Sequence, residues 1–80
     1  DSREQFMVAR RIGKNDLKPG DLIFSASKDH PEKVTHVAIF VDSMTVLEAP
    51  KTGEVVRKIE MDKKYSPDSV VYFGTFFGQD

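Results

Sequence analysis

Residues 35–41, Thr-His-Val-Ala-Ile-Phe-Val, constrain this chain more than any other segment. The run is rich in β-branched and aromatic residues, which fit a pleated, packed surface and fit a helix poorly. It holds the longest uninterrupted apolar stretch, Val37 to Val41, far too short to span a membrane. A strand over 35–41 is therefore the anchor of the reading. Asp42-Ser43-Met44 follows as a turn, and residues 45–49 return as the antiparallel partner.

The neighbouring segments extend this into a sheet. Lys18-Pro19-Gly20-Asp21 is a turn in which Pro presets φ at the second position and Gly supplies positive φ at the third. Leu22-Ile23-Phe24 then forms a short strand, and residues 26–34, polar and carrying Pro31, form an exposed loop. Pro50 to Gly53 turns again, residues 55–59 make a fourth strand, 62–68 a polar connection, and 69–77 a fifth strand. At the start, Ser2 and Gln5 have capping-box spacing, and Phe6, Val8, Ala9 and Ile12 give a partial helical stripe that stops at Gly13. The expected fold is α+β: a helix over residues 3–12, then a five-stranded, curled, mostly antiparallel sheet within one domain spanning 1–80. A helix this short is marginal alone and must dock on something.

Composition narrows the function classes. An 80-residue chain is at most one domain and buries only about 60–65% of its unfolded surface. The hydrophobic fraction of 39% falls below the globular average, which hints at an incomplete core. A net charge of −1 lacks the electrostatic footprint of a nucleic-acid binder. With no cysteine there is no disulfide, no thiolate metal site and no cysteine nucleophile within these residues. Asp1-Ser2-Arg3-Glu4 has no signal-peptide pattern, and a first residue other than Met fits a fragment or a processed product. No internal repeat, glycine-rich phosphate loop or metal-ligand spacing is present, so no cofactor and no metal are expected.

Two histidines carry what chemistry there is. His30, beside Pro31, reads as a solvated loop residue. His36 opens the most hydrophobic strand, where it is either a satisfied structural histidine or a functional one. Alternation puts His36, Ala38 and Phe40 on one face. If Asp42 to Met44 form a three-residue loop, Val41 lies opposite Thr45 and Ala38 opposite Glu48. His36 and Glu48 are then diagonal neighbours, about 7–8 Å apart at the backbone and within reach of long side chains. Glu48 is either that partner or a solvated carboxylate, and a one-residue slip removes the pair. A histidine oriented by a carboxylate is a base awaiting a nucleophile. Ser25, Ser27 and Ser43 sit at strand ends or in loops, with no nucleophile elbow around them.

Read in order, Leu17-Lys18-Pro19-Gly20-Asp21-Leu22-Ile23-Phe24, Thr35-His36-Val37-Ala38-Ile39-Phe40-Val41, Val46-Leu47-Glu48-Ala49-Pro50 and Gly53-Glu54-Val55-Val56 resemble the second half of an NlpC/P60 domain. Ser2-Arg3-Glu4-Gln5 resembles the segment before that family's sheet, and Tyr72-Phe73-Gly74 its closing strand. The resemblance implies part of a papain-like cysteine peptidase fold. It also implies hydrolysis of peptide or amide bonds in peptidoglycan stem peptides, often between γ-D-glutamate and a diamino acid. The family's catalytic His maps onto His36 and its orienting residue onto Glu48, where His, Asn or Gln is usual. The catalytic Cys would come from a helical, Cys-bearing half before these residues or from a companion chain. A secreted, periplasmic or cell-surface location is implied in the same way. Two other readings remain: an inactive domain that binds cell-wall peptide or a protein partner, and a permuted LRAT-like or amidase relative with its Cys downstream.

Overall fold

The computed structural model of the 80-residue chain describes residues 1–42, 45–48, 57–60 and 64–78. Helix α1 (Ser2–Val8) leads into β1 (Arg10–Ile12), a single 3₁₀ turn (Lys14–Asp16), then β2 (Leu22–Ser27), β3 (His36–Asp42), β4 (Thr45–Glu48), β5 (Arg57–Ile59) and β6 (Ser69–Thr75). The strands form one open antiparallel sheet in the order β1-β6-β2-β3-β4-β5. The α+β class matches expectation, but the described residues form six strands where five were expected.

The extra strand comes from residues read as helix. The helix expected over 3–12 ends at Val8, because Arg10, Arg11 and Ile12 pair with Thr75, Gly74 and Phe73 of β6. Three ladder partners outweigh a weak helical stripe. The cap also lies one residue earlier than Ser2. The Asp1 carboxylate accepts from Glu4 N–H at 3.0 Å, and the Asp1 nitrogen donates to Glu4 Oε1 at 3.2 Å. This is the reciprocal capping arrangement with Asp and Glu in place of Ser and Gln.

Strand β2 is the spine of the sheet, paired with β6 on one side and β3 on the other. It runs on to Ser27, past the expected end at Phe24, so Ser25 and Ala26 are buried strand residues. Val34, placed in the polar loop by sequence, is 1% exposed and packs with Leu22 and Phe24. The Tyr72 hydroxyl donates to Pro31 O at 2.7 Å and ties that loop to β6. The expected strand over 69–77 ends at Thr75, and Phe76 and Phe77 are exposed beyond it. The turn expected over 50–53 and residues 49, 55–56 and 62–63 lie outside the described residues.

The two sheet faces carry different cores. On one, Leu22, Phe24 and Val34 meet Phe6, Ala9, Val37 and Tyr72, so α1 docks here. Phe6 packs edge-to-face on Phe24 with centroids 5.1 Å apart, and the Arg11 guanidinium lies 4.4 Å from the Tyr72 ring centroid. Gly74 permits this close approach. A Cβ there would sit 3.0 Å from Ala9 Cβ and 3.1 Å from Phe24 Cε2. The other face carries Ile23, Ala38, Phe40 and Val46, with Leu17, Ile59, Tyr65, Val71 and Phe73 against them.

The turn before β2 forms as its residues demand. Gly20 has φ +94°, and Asp21 N–H donates to Lys18 O at 2.9 Å, closing the turn. The Asp21 side chain, 3% exposed, accepts from Lys18 N–H at 2.9 Å and from the Thr75 hydroxyl. One carboxylate thus joins the start of β2 to the end of β6. Asp21→Ala is expected to cost about 2–3 kcal/mol, because it strands two donors on a charge-assisted acceptor. Urea unfolding checks this, with Asp21→Asn recovering part of the loss.

Candidate active site

The face carrying Ile23 and Val46 is also the face that carries His36 and Glu48. In β3 the alternation buries Ala38 and Phe40, and His36 stands two residues before Ala38 on the same side. His36 is exposed because it opens the strand, at the rim of the covered face. Its cross-strand neighbour is Ser25 of β2, a buried residue in the strand interior rather than at the expected strand end. Ser25 and Ala38 are both small, so little bulk stands beside the imidazole.

Glu48 enters from β4. Ile39 pairs with Leu47 and Phe40 with Val46, and continuing that register sets Ala38 opposite Glu48, as the sequence suggested. The pairing of Thr45 departs from expectation: Asp42, not Val41, lies opposite it, and Val41 is the extra residue of a bulge, while residues 43–44 of the expected turn lie outside the described residues. The bulge absorbs the one-residue difference, so His36 and Glu48 stay on one face, diagonal to each other. Among the described residues no hydrogen bond or ion pair joins them. Glu48, 9% exposed, forms an ion pair through its carboxylate with Lys64 Nζ.

Lys64 and its neighbour Tyr65 are the members of this cluster that sequence reasoning missed. They follow β5 in a stretch read as polar connection, where neither period nor motif marks them. A lone aromatic in that stretch was the available signal. Lys64 Nζ lies 5.3 Å from the Tyr65 ring centroid, and the ring packs on the core of this face. The Tyr65 hydroxyl is buried without a hydrogen-bond partner among the described residues. Burial first, and the negative charge of Glu48 second, hold this phenol well above the usual tyrosine range.

His30 lies apart from this cluster, exposed in the loop, with Nδ1 4.0 Å from Glu32 Oε1. Among the described residues, no three His, Asp or Glu side chains gather as metal ligands. An open cleft of about 490 Å³ lies at the other end of β2, lined by residues including Arg10, Lys18, Asp21, Thr75 and Phe77. It sits beside Leu22 and Gly74, whereas His36 is level with Ser25 and Val71, so the cleft is remote from the imidazole. The site's assets are an accessible imidazole, small neighbours and a buried carboxylate on the same face. That set can accept a proton but contains no thiol.

Comparisons with known proteins agree with this reading of the sheet. The NlpC/P60 family model matches residues 1–75. The chain is 30% identical over 56 residues to the gamma-D-glutamyl-L-lysine dipeptidyl-peptidase of Bacillus subtilis (strain 168). That alignment covers 70% of this chain and 19% of the Bacillus protein, so the matched segment spans about a fifth of that relative's length. No solved structure matches the chain. Since the family match takes in α1, all six strands and both residues of the candidate site, the chain belongs to the NlpC/P60 family.

Proposed function

We propose that these residues are the sheet portion of a papain-like cell-wall cysteine hydrolase that cleaves peptide or amide bonds in peptidoglycan stem peptides, of the γ-D-glutamyl–diamino acid type. His36 acts as the general base, and Glu48 on the same face orients it. The thiol comes from outside these 80 residues, from a Cys-bearing half or a companion chain. A secreted, periplasmic or cell-surface setting follows from that substrate.

The observation that carries the reading is His36 itself. A histidine at the exposed rim of a core strand, flanked by Ser25 and Ala38, is accessible to a reacting group that approaches this face. The family membership supports hydrolysis, and the name of the Bacillus relative supports the γ-D-glutamyl linkage. A base alone leaves the amide carbonyl without an attacking atom. The 80-residue chain is therefore expected to release no product from a γ-D-glutamyl–diamino acid peptide, as followed by chromatography. Cleavage by this chain that disappears in His36→Ala would overturn the division of labour.

A second reading is favoured by the ion pair at Glu48. With the carboxylate engaged by Lys64 and no cysteine in the sequence, the same sheet suits an inactive domain that binds cell-wall peptide. Binding of that peptide with no turnover after a thiol-bearing half is supplied favours this reading over the first.

A further inference from the structure

We propose that the open cleft at the far end of β2 from His36 is a saccharide-binding site, with the Phe77 ring as its stacking platform and Arg10, Asp16 and Lys18 supplying hydrogen bonds to the sugar hydroxyls. The inference goes beyond the hydrolase reading, since it needs neither His36 nor a thiol.

The cleft has a volume of about 490 Å³, inside the range of about 300–1,000 Å³ usual for small-ligand sites. Two cations, Arg10 and Lys18, and two carboxylates, Asp16 and Asp21, line it, so its formal charges cancel. A strongly anionic or cationic ligand therefore gains little net attraction there. A purely apolar one strips water from charged groups and returns no hydrogen bond. The lining suits a neutral ligand that both donates and accepts. The inner carboxylate is already committed: Asp21, 3% exposed, accepts from Lys18 N–H and from the Thr75 hydroxyl. No hydrogen bond or ion pair among the described residues engages the Asp16 carboxylate or the Lys18 ammonium, and both residues are exposed.

Phe77 supplies the apolar contact. It is 60% exposed, yet it is anchored at three points. Its N–H donates to Thr75 Oγ1 at 3.0 Å, and its carbonyl accepts from Arg10 Nη2 at 3.3 Å. Its ring lies so close to Gly20 that a Cβ there would stand 3.1 Å from Phe77 Cε2. A ring fixed in advance and left open costs little to order when a ligand covers it. The negative π-face of an aromatic ring attracts the C–H face of a pyranose, while guanidinium, ammonium and carboxylate groups pair with its hydroxyls. A zwitterion would match the charge balance but leave the ring unused. Asp21 and Ser25 lie four residues apart, about 13 Å along the strand, so one sugar ring does not reach both the cleft and His36.

The test is a titration of the 15N-labelled 80-residue chain with the tetramer of N-acetylglucosamine, a neutral saccharide, followed by backbone amide shifts. Saturable shifts are expected at Arg10, Asp16, Lys18, Phe77 and Gly78, with none at His36. Phe77→Ala should weaken binding about fivefold, the worth of one aromatic contact, and Phe77→Trp should retain it. Phe76→Ala, which removes an exposed ring outside the cleft lining, should leave the affinity unchanged. Should Phe77→Ala fail to fold, Asp16→Ala, at an exposed position, takes its place, with a loss of about tenfold expected and no loss overturning the inference. The absence of saturable shifts, shifts centred on His36, or an affinity unchanged by Phe77→Ala overturns it. Glycylglycine, a zwitterion, binding the cleft more tightly than the saccharide overturns it in favour of a peptide site. No bond is cleaved in this titration, so its failure leaves the hydrolase reading standing, and a failed hydrolysis assay leaves the saccharide site standing.

Discussion

Replacing Phe24 with alanine is expected to destabilise the chain by about 3–5 kcal/mol, the cost of deleting a fully buried aromatic from a packed core. Phe24 is 0% exposed and lies on the central strand β2. Its ring meets Phe6 edge-to-face and lies close to the backbone of Gly74, so it joins helix, spine strand and β6 at one point. Truncation leaves Phe6 and Tyr72 facing a void that the helix cannot fill without leaving the Arg11 stack. A domain of this size has a total stability of about 4–12 kcal/mol, so the loss takes a large share of it. Urea unfolding should show a lower midpoint with an unchanged slope. A loss below about 1 kcal/mol would mean that α1 does not dock on this face as described.

The sequence foretold the parts of this fold whose local chemistry and tertiary fate agree. Residues 35–41 combine β propensity with alternating faces, and β3 forms within one residue of that span. Gly20 takes its positive φ because the Pro-Gly turn allows little else. The β3–β4 register at Ile39–Leu47 and Phe40–Val46 was legible because it depends on a short connection and on matched apolar faces. The bulge at Val41 changed the partner of Thr45 without shifting the face.

What escaped detection was decided elsewhere in the chain. Arg10 and Arg11 carry the charges of a protected edge strand, and their strand character comes from β6, more than sixty residues away. Ser25 looks like a loop residue, yet pairing on both sides keeps it in β2 and beside His36. Val34 sits in polar surroundings in sequence and is buried only because the loop folds back toward Tyr72. Lys64 had no local signature, since an ion pair to a strand sixteen residues earlier leaves no period to read. The absence of cysteine excludes thiol chemistry within these residues, and only the proposed hydrolase reading asks for a nucleophile from elsewhere.

The largest functional effect is expected at His36. Its imidazole is exposed at the start of β3, beside the small residues Ser25 and Ala38. A positioned base of this kind contributes about 10²–10⁴-fold to rate. The most direct measurement is the rate of hydrolysis of a γ-D-glutamyl–diamino acid peptide by a protein that joins residues 1–80 to a Cys-bearing NlpC/P60 segment, with and without His36→Ala. The account predicts a rate lower by about 10²–10⁴-fold in the variant, with the fold retained. An unchanged rate would contradict it, because the base would then lie somewhere other than the start of β3.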